Sequence, residues 1–194
     1  VVRQGCSFGE LQMMPSVILI NGSFGVGKTS VARELARRAR GSTIYDPEWV
    51  GWVLQRLPPS VRLRGRGSDD FQDVGLWRRS VVVGTRAFRL RSRGPVFVPM
   101  TFDRLDYLDE VLAGIRSFEP SVRTFCLVAS LDTIRQRLRD RGTNLEGHAA
   151  DWILRRTAEC VDAHQDRRFG ELLDAETRSA SDIAEEILSE LRKR

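Results

Sequence analysis

At 194 residues, 41% hydrophobic and 29% charged, the chain has the size and make-up of one soluble domain with a sizeable core. Its formal charge of +5 comes from 31 basic residues, 29 of them arginine, interleaved with acids along amphipathic segments, a pattern that argues against nucleic acid as a partner. No apolar run approaches the ~18 residues of a membrane span, which excludes stable membrane insertion, and Cys6, Cys126 and Cys160 lack metal-ligand spacing, as expected of reduced thiols in a cytoplasmic protein.

Residues 1–13 carry no periodicity and read as a disordered leader or an upstream extension, with Met13 or Met14 as a possible start and 14–194 as a single domain. The apolar run Val17–Ile20 has the length of a buried strand. Gly22, Ser23, Phe24, Gly25, Val26, Gly27, Lys28, Thr29 and Ser30 follow it, containing the complete phosphate-loop spacing G-x-x-x-x-G-K-T. A helix is expected over Lys28–Arg40, ended by Gly41, then a short strand at Thr43–Tyr45. Pro47 can open a helix bearing Trp49, Trp52 and Leu57, and 58–73 reads as a long mobile loop with Arg62, Arg64 and Arg66. Helices are further expected over 74–91, 104–117, 132–141, 151–164 and from Ser179 onward, with Asp182 completing a capping box. Strands are expected at 96–100, 122–129 and 171–173. This alternation predicts an α/β fold of three α/β/α layers around a five-stranded parallel sheet. All strand ends then share one edge, where the phosphate loop also lies.

The chemistry follows from residue types. Glycines 22, 25 and 27 let successive N–H groups converge on phosphate oxygens at a helix N-terminus, Lys28 reaches the β- and γ-phosphates, and the Thr29 hydroxyl suits Mg²⁺. In a chain with only one other lysine, Lys193, a compact ammonium at position 28 is pointed. ATP and Mg²⁺ are therefore the expected cofactors. Asp46, at the end of the second strand, is the candidate general base or second magnesium ligand; a helix cap before Pro47 is the alternative. The third strand ends in Met100 and Thr101 with no acid, and Asp103 comes two residues later as the competing carboxylate. Arg137 and Arg141 share one helix face and, with Arg155 or Arg156, form a candidate lid over the nucleotide. Trp49, Trp52, Arg78 and Thr101 are candidate substrate contacts, and Trp77 and Trp152 candidate pocket or core residues. His148 and His164 are expected on the surface and make no metal site.

Five segments together carry a resemblance: INGSFGVGKT, IYDPEWVGWVL, DDFQDVGLWR, VFVPMTF and TFCLVASLDTIRQRLRDR. From about Pro15 to Leu191 the chain resembles the tunicamycin-resistance proteins of bacteria, a small P-loop family of the nucleoside and nucleotide kinase-like fold. The D-P-E after strand two and the V-P-M-T strand are its narrower signals. The resemblance implies ATP and Mg²⁺ binding, and either phosphate transfer to the nucleoside antibiotic tunicamycin or its sequestration. It places Gly22 to Thr29 on ATP, Asp46 in the D-P-E signature, and Arg137 and Arg141 in the R-x-x-x-R pattern of small kinases. The lid segment GTNLEGHAA and the Arg62–Arg66 loop depart from a tight pattern where the acceptor would be chosen. A kinase of another hydroxylated metabolite or drug, or an ATP-dependent ligand-holding protein, stays open beside antibiotic resistance. The expected partner is a small molecule, and the expected assembly a monomer or homodimer.

Overall fold

A computed structural model of the chain describes residues 16–47 and 75–193. The helix expected after Pro47 and the loop over 58–73 lie outside the described residues, as does the leader. The strands are β1 (Val17–Gly22), β2 (Thr43–Ile44), β3 (Val96–Pro99), β4 (Val122–Val128) and β5 (Glu171–Asp174). The helices are α1 (Lys28–Arg38), α2 (Gly75–Arg91), α3 (Leu105–Arg116), α4 (Leu131–Asp140), α5 (His148–Ala163) and α6 (Ala180–Arg192). The strands form one parallel sheet in the order β2-β3-β1-β4-β5.

Side-chain alternation on the sheet explains the layers. Every residue of β1 is buried, as a central strand covered on both faces requires. Ile18 and Ile20 join Phe97, Phe125 and Leu127 on the face covered by α1, α4 and α6, through Leu35, Ile134 and Ile187. Val17 and Leu19 join Val96, Val98 and Cys126 on the other face, covered by α2 and α3 through Trp77, Val81, Leu108 and Ile115. The two outer neighbours of β1 leave a crevice at its carboxyl end, the topological switch point where ligands of open α/β sheets bind.

Local sequence features account for the element ends. Ser130 caps α4, its hydroxyl accepting from the Thr133 amide. Ser179 and Asp182 make the expected capping box on α6. Helix α5 starts at His148 rather than Asp151, because Gly147 at φ 79° supplies the turn that begins it. Gly84, inside α2, has a packing reason. The Tyr45 ring lies so close that a Cβ at position 84 would sit 2.2 Å from its Cζ and hydroxyl. Tyr45 cannot simply retreat, since its hydroxyl donates to the Ser80 carbonyl at 3.1 Å and its ring lies 4.9 Å from that of Phe88. Gly84→Ala is therefore expected to destabilise the fold by ~1–3 kcal/mol through overpacking, despite alanine's better helix propensity. A melting temperature equal to or above that of the unmodified protein would contradict this packing.

Candidate active site

The phosphate loop forms as its sequence demands. Gly22, Gly25 and Gly27 have φ of 146°, 79° and 115°, a region unfavourable to residues with a Cβ. At Gly22 a Cβ would also lie 2.8 Å from Val26 Cγ1 and 2.9 Å from the Leu127 carbonyl oxygen. Helix α1 starts immediately after Gly27 with no side-chain cap and no acid in its first turn. Its first N–H groups thus keep their donors for an anion, with the helix dipole behind them. This uncapped glycine cradle fits the polyphosphate of a nucleotide. Lys28 is buried, its Nζ donating to the carbonyls of Gly22 at 3.0 Å and Ser23 at 2.9 Å. The ammonium is held within reach of the cradle. Thr29 is half-buried on the first turn of α1, and Ser30 is exposed beside it.

Asp46 is half-buried, directly after Tyr45 at the end of β2. Its charge bears on Tyr45, whose hydroxyl is pushed up to about 12, first by burial and second by the Asp46 carboxylate. Thr101 is buried two residues past β3. Among the described residues no group of three His, Cys, Asp or Glu side chains could hold a metal ion. Mg²⁺ commonly relies on one or two protein oxygens together with substrate phosphates and water, a pattern Thr29 and one acid fit.

Arg137 and Arg141 reach the loop from α4, but not as a free lid. The Arg137 guanidinium donates to the Val26 carbonyl at 3.1 Å, and to those of Ala175 at 2.7 Å and Glu176 at 3.2 Å. Arg141 donates to the Gly25 carbonyl at 3.4 Å. Both therefore brace the backbone of the phosphate loop. They also line, with Gly27, Asp140 and Arg178, a cleft of about 340 Å³ beside the loop. That volume is at the low end for small-molecule sites (~300–1,000 Å³) and suits the nucleoside part of a nucleotide. Arg156 is turned elsewhere, 2.8 Å from Asp103 and 2.6 Å from Glu159. Arg155 is exposed near Glu159. Arg78 pairs with Glu110 and stacks 4.1 Å over the Tyr107 ring, joining α2 to α3. Trp77 is core, whereas Trp152 lies 6.3 Å from Phe24 of the phosphate loop. Trp49 and Trp52 lie outside the described residues.

His164 corrects the sequence reading: it is buried, not on the surface. It caps the end of α5, where the turn after β3 closes over it and the Phe169 ring meets it edge-on at 5.2 Å. Sequence reasoning also missed Glu176, in the turn after β5. Its carboxylate accepts from the Ser130 amide, the Ser130 hydroxyl at 2.7 Å and the Thr133 hydroxyl, tying that turn to the start of α4. An acid just past a strand at the ligand-binding edge was the available signal. Those donors, led by the Ser130 amide, hold its pKa down to about 2. A lowered carboxylate pKa contributes stability above the unfolded value of 4.5, lost as pH falls through about 2. Between those values the unmodified protein should lose stability more steeply than Glu176→Gln in acid-unfolding curves. Parallel curves would remove this role.

A complete phosphate loop at the switch point of a β2-β3-β1-β4-β5 parallel sheet, braced by arginines of the fourth helix, defines a P-loop kinase-like fold. The chain belongs to the AAA domain family, whose model matches residues 17–168. Among solved structures it is similar to the Deinococcus radiodurans tunicamycin resistance protein, at 25% identity and a TM-score of 0.67, over 90% of this chain and 94% of that one. It is also similar to a gluconokinase from Sinorhizobium meliloti 1021, with 20% identity, a TM-score of 0.61 and 92% of each chain covered. A shikimate kinase from Acinetobacter baumannii in complex with shikimate has 15% identity and a TM-score of 0.60, over 93% of this chain and 94% of that one. The last two likenesses show the fold. No curated protein matches the sequence.

Proposed function

We propose that this chain is an ATP-dependent phosphotransferase acting on an alcohol group of a small molecule, with tunicamycin or a related nucleoside antibiotic as that molecule. The observation that carries the reading is the uncapped phosphate loop with buried Lys28 at the sheet's switch point. Antibiotic resistance rests on the similarity, along nine-tenths of the chain, to the tunicamycin resistance protein.

In this reading the amides from Gly22 to Ser30 and the Lys28 ammonium bind the polyphosphate of ATP, and the cleft beside Arg137, Arg141 and Arg178 takes its nucleoside part. Mg²⁺, held by the Thr29 hydroxyl together with phosphate and water oxygens, would neutralise phosphate charge. Asp46 accepts the proton of the acceptor hydroxyl as that oxygen bonds to the γ-phosphorus and the bond to the ADP oxygen breaks. Thr101 orients the acceptor from the end of β3. Trp49, Trp52 and Arg78 complete the acceptor side, Arg78 releasing Glu110 to do so.

One feature favours a second reading, ATP-dependent holding of a ligand without transfer. Strand β3 ends in Pro99 followed by Met100, with no carboxylate, and Asp103 is committed to Arg156. The full chain, expressed in a tunicamycin-sensitive bacterium, should permit growth at antibiotic levels that stop a strain carrying Lys28→Ala. Equal growth of both strains, with both proteins soluble, would move the reading to another acceptor.

A further inference from the structure

The backbone of Phe102, in the turn after β3, is bonded on both its N–H and its carbonyl. Its N–H donates to Asn21 Oδ1 at 2.8 Å, and its carbonyl accepts from Asn21 Nδ2 at 3.1 Å. The same carbonyl lies 2.7 Å from His164 Nε2. A carbonyl oxygen only accepts, so Nε2 carries the proton, and burial disfavours a second proton on Nδ1. That Nδ1 is buried and has no hydrogen-bond partner among the described residues. A buried acceptor without a bond is costly, and an apolar side chain would fill this space beside Phe169 without that cost. What the histidine adds is the one bond to Phe102.

The three elements joined here all belong to the site. Asn21 is fully buried in β1, one residue before the phosphate loop. His164 caps the end of α5, which starts at His148 and passes over the phosphate loop, with Trp152 by Phe24 and the Thr157 carbonyl 3.5 Å from Ser23 Oγ. Phe102 lies between Thr101 and Asp103, and Asp103 is in turn held by Arg156 from the middle of α5.

We infer that His164 is a positioning residue: with Asn21 it latches the Phe102 peptide, and so fixes Thr101 and Asp103 relative to the phosphate loop. The inference rests on the phosphotransferase reading for its catalytic consequence, and on geometry for the latch itself. The ring is kept in the donating neutral form because burial outweighs the opposing pull of the Phe102 carbonyl bond, with the nearby Lys28 charge also against protonation and Asp103 for it. Glutamine can present an N–H close to the position of Nε2, and leucine cannot.

The test compares the full-length protein with H164L and H164Q. In H164L, amide exchange over 101–104 should quicken by ~10-fold and kcat should fall by ~10-fold, as expected when a reacting group is displaced by a fraction of an ångström. The KM for ATP should stay within about twofold, since the phosphate contacts are untouched, and H164Q should recover most of both losses. Unchanged exchange in H164L, or H164Q no better than H164L at equal melting temperature, overturns the latch. Should H164L fail to fold, the ¹⁵N spectrum of the histidine ring in the unmodified protein decides: a proton on Nε2 with bare Nδ1 supports the latch, and a proton on Nδ1 contradicts it. Absence of transfer to any acceptor by the unmodified protein would count against the phosphotransferase reading alone, leaving exchange and the ring spectrum to judge the latch.

Discussion

Lys28→Ala is expected to lower phosphate transfer by about 10²-fold or more and to weaken ATP binding. One preorganised charge donor aimed at developing phosphate charge contributes on that scale in a site shielded from water. Lys28 meets the requirement: it is buried, and the Gly22 and Ser23 carbonyls hold its ammonium beside the cradle. Because those two bonds also stabilise the loop, Lys28→Met is the better-matched control for packing. Both variants should keep the fold and lose binding together. Equal ATP affinity in the unmodified protein and both variants, measured by calorimetry, would sink the assignment of the loop.

Asp46→Asn should reduce turnover by ~10²–10⁴-fold, the usual contribution of a positioned general base, with little change in ATP affinity. The substitution preserves shape and removes the charge. Asp46 stands at the sheet's ligand edge after β2, and its carboxylate is felt by the adjacent Tyr45 hydroxyl. The competing role is helical, a cap ahead of Pro47. The two roles separate cleanly: a lowered melting temperature with turnover intact would make Asp46 a cap and leave the base to be found elsewhere, Asp103 being the next carboxylate along the same edge.

The fold was legible because periodicity reports burial. Val17–Ile20 reads as a strand covered on both faces and occupies the centre of the sheet. The phosphate loop was equally legible, since its glycines answer a local backbone demand that shows in sequence. Long-range polar contacts were less so. The i,i+4 spacing put Arg137 and Arg141 on one face, yet only the folded chain shows that they bond to the carbonyls of the loop itself. His164 read as a surface residue because nothing near it in sequence offered a partner, and its burial depends on a turn 62 residues away closing over it. Asn21 carried a usable sign, an amide at the end of an otherwise apolar strand. Its partner Phe102 carried none, because the contact is to backbone.

The acceptor is what the shared fold leaves open, since the similar proteins include a tunicamycin resistance protein, a gluconokinase and a shikimate kinase. The most direct measurement is transfer of labelled γ-phosphate from ATP by the full-length protein, against a panel of tunicamycin, other nucleoside antibiotics, sugars and simple hydroxylated acids. The account predicts label on the hydroxyl of a panel member, strongest for a nucleoside antibiotic and lost in Lys28→Ala. ATP bound with ordinary affinity but label never reaching any acceptor would contradict it, and would make the protein a nucleotide-dependent ligand holder instead.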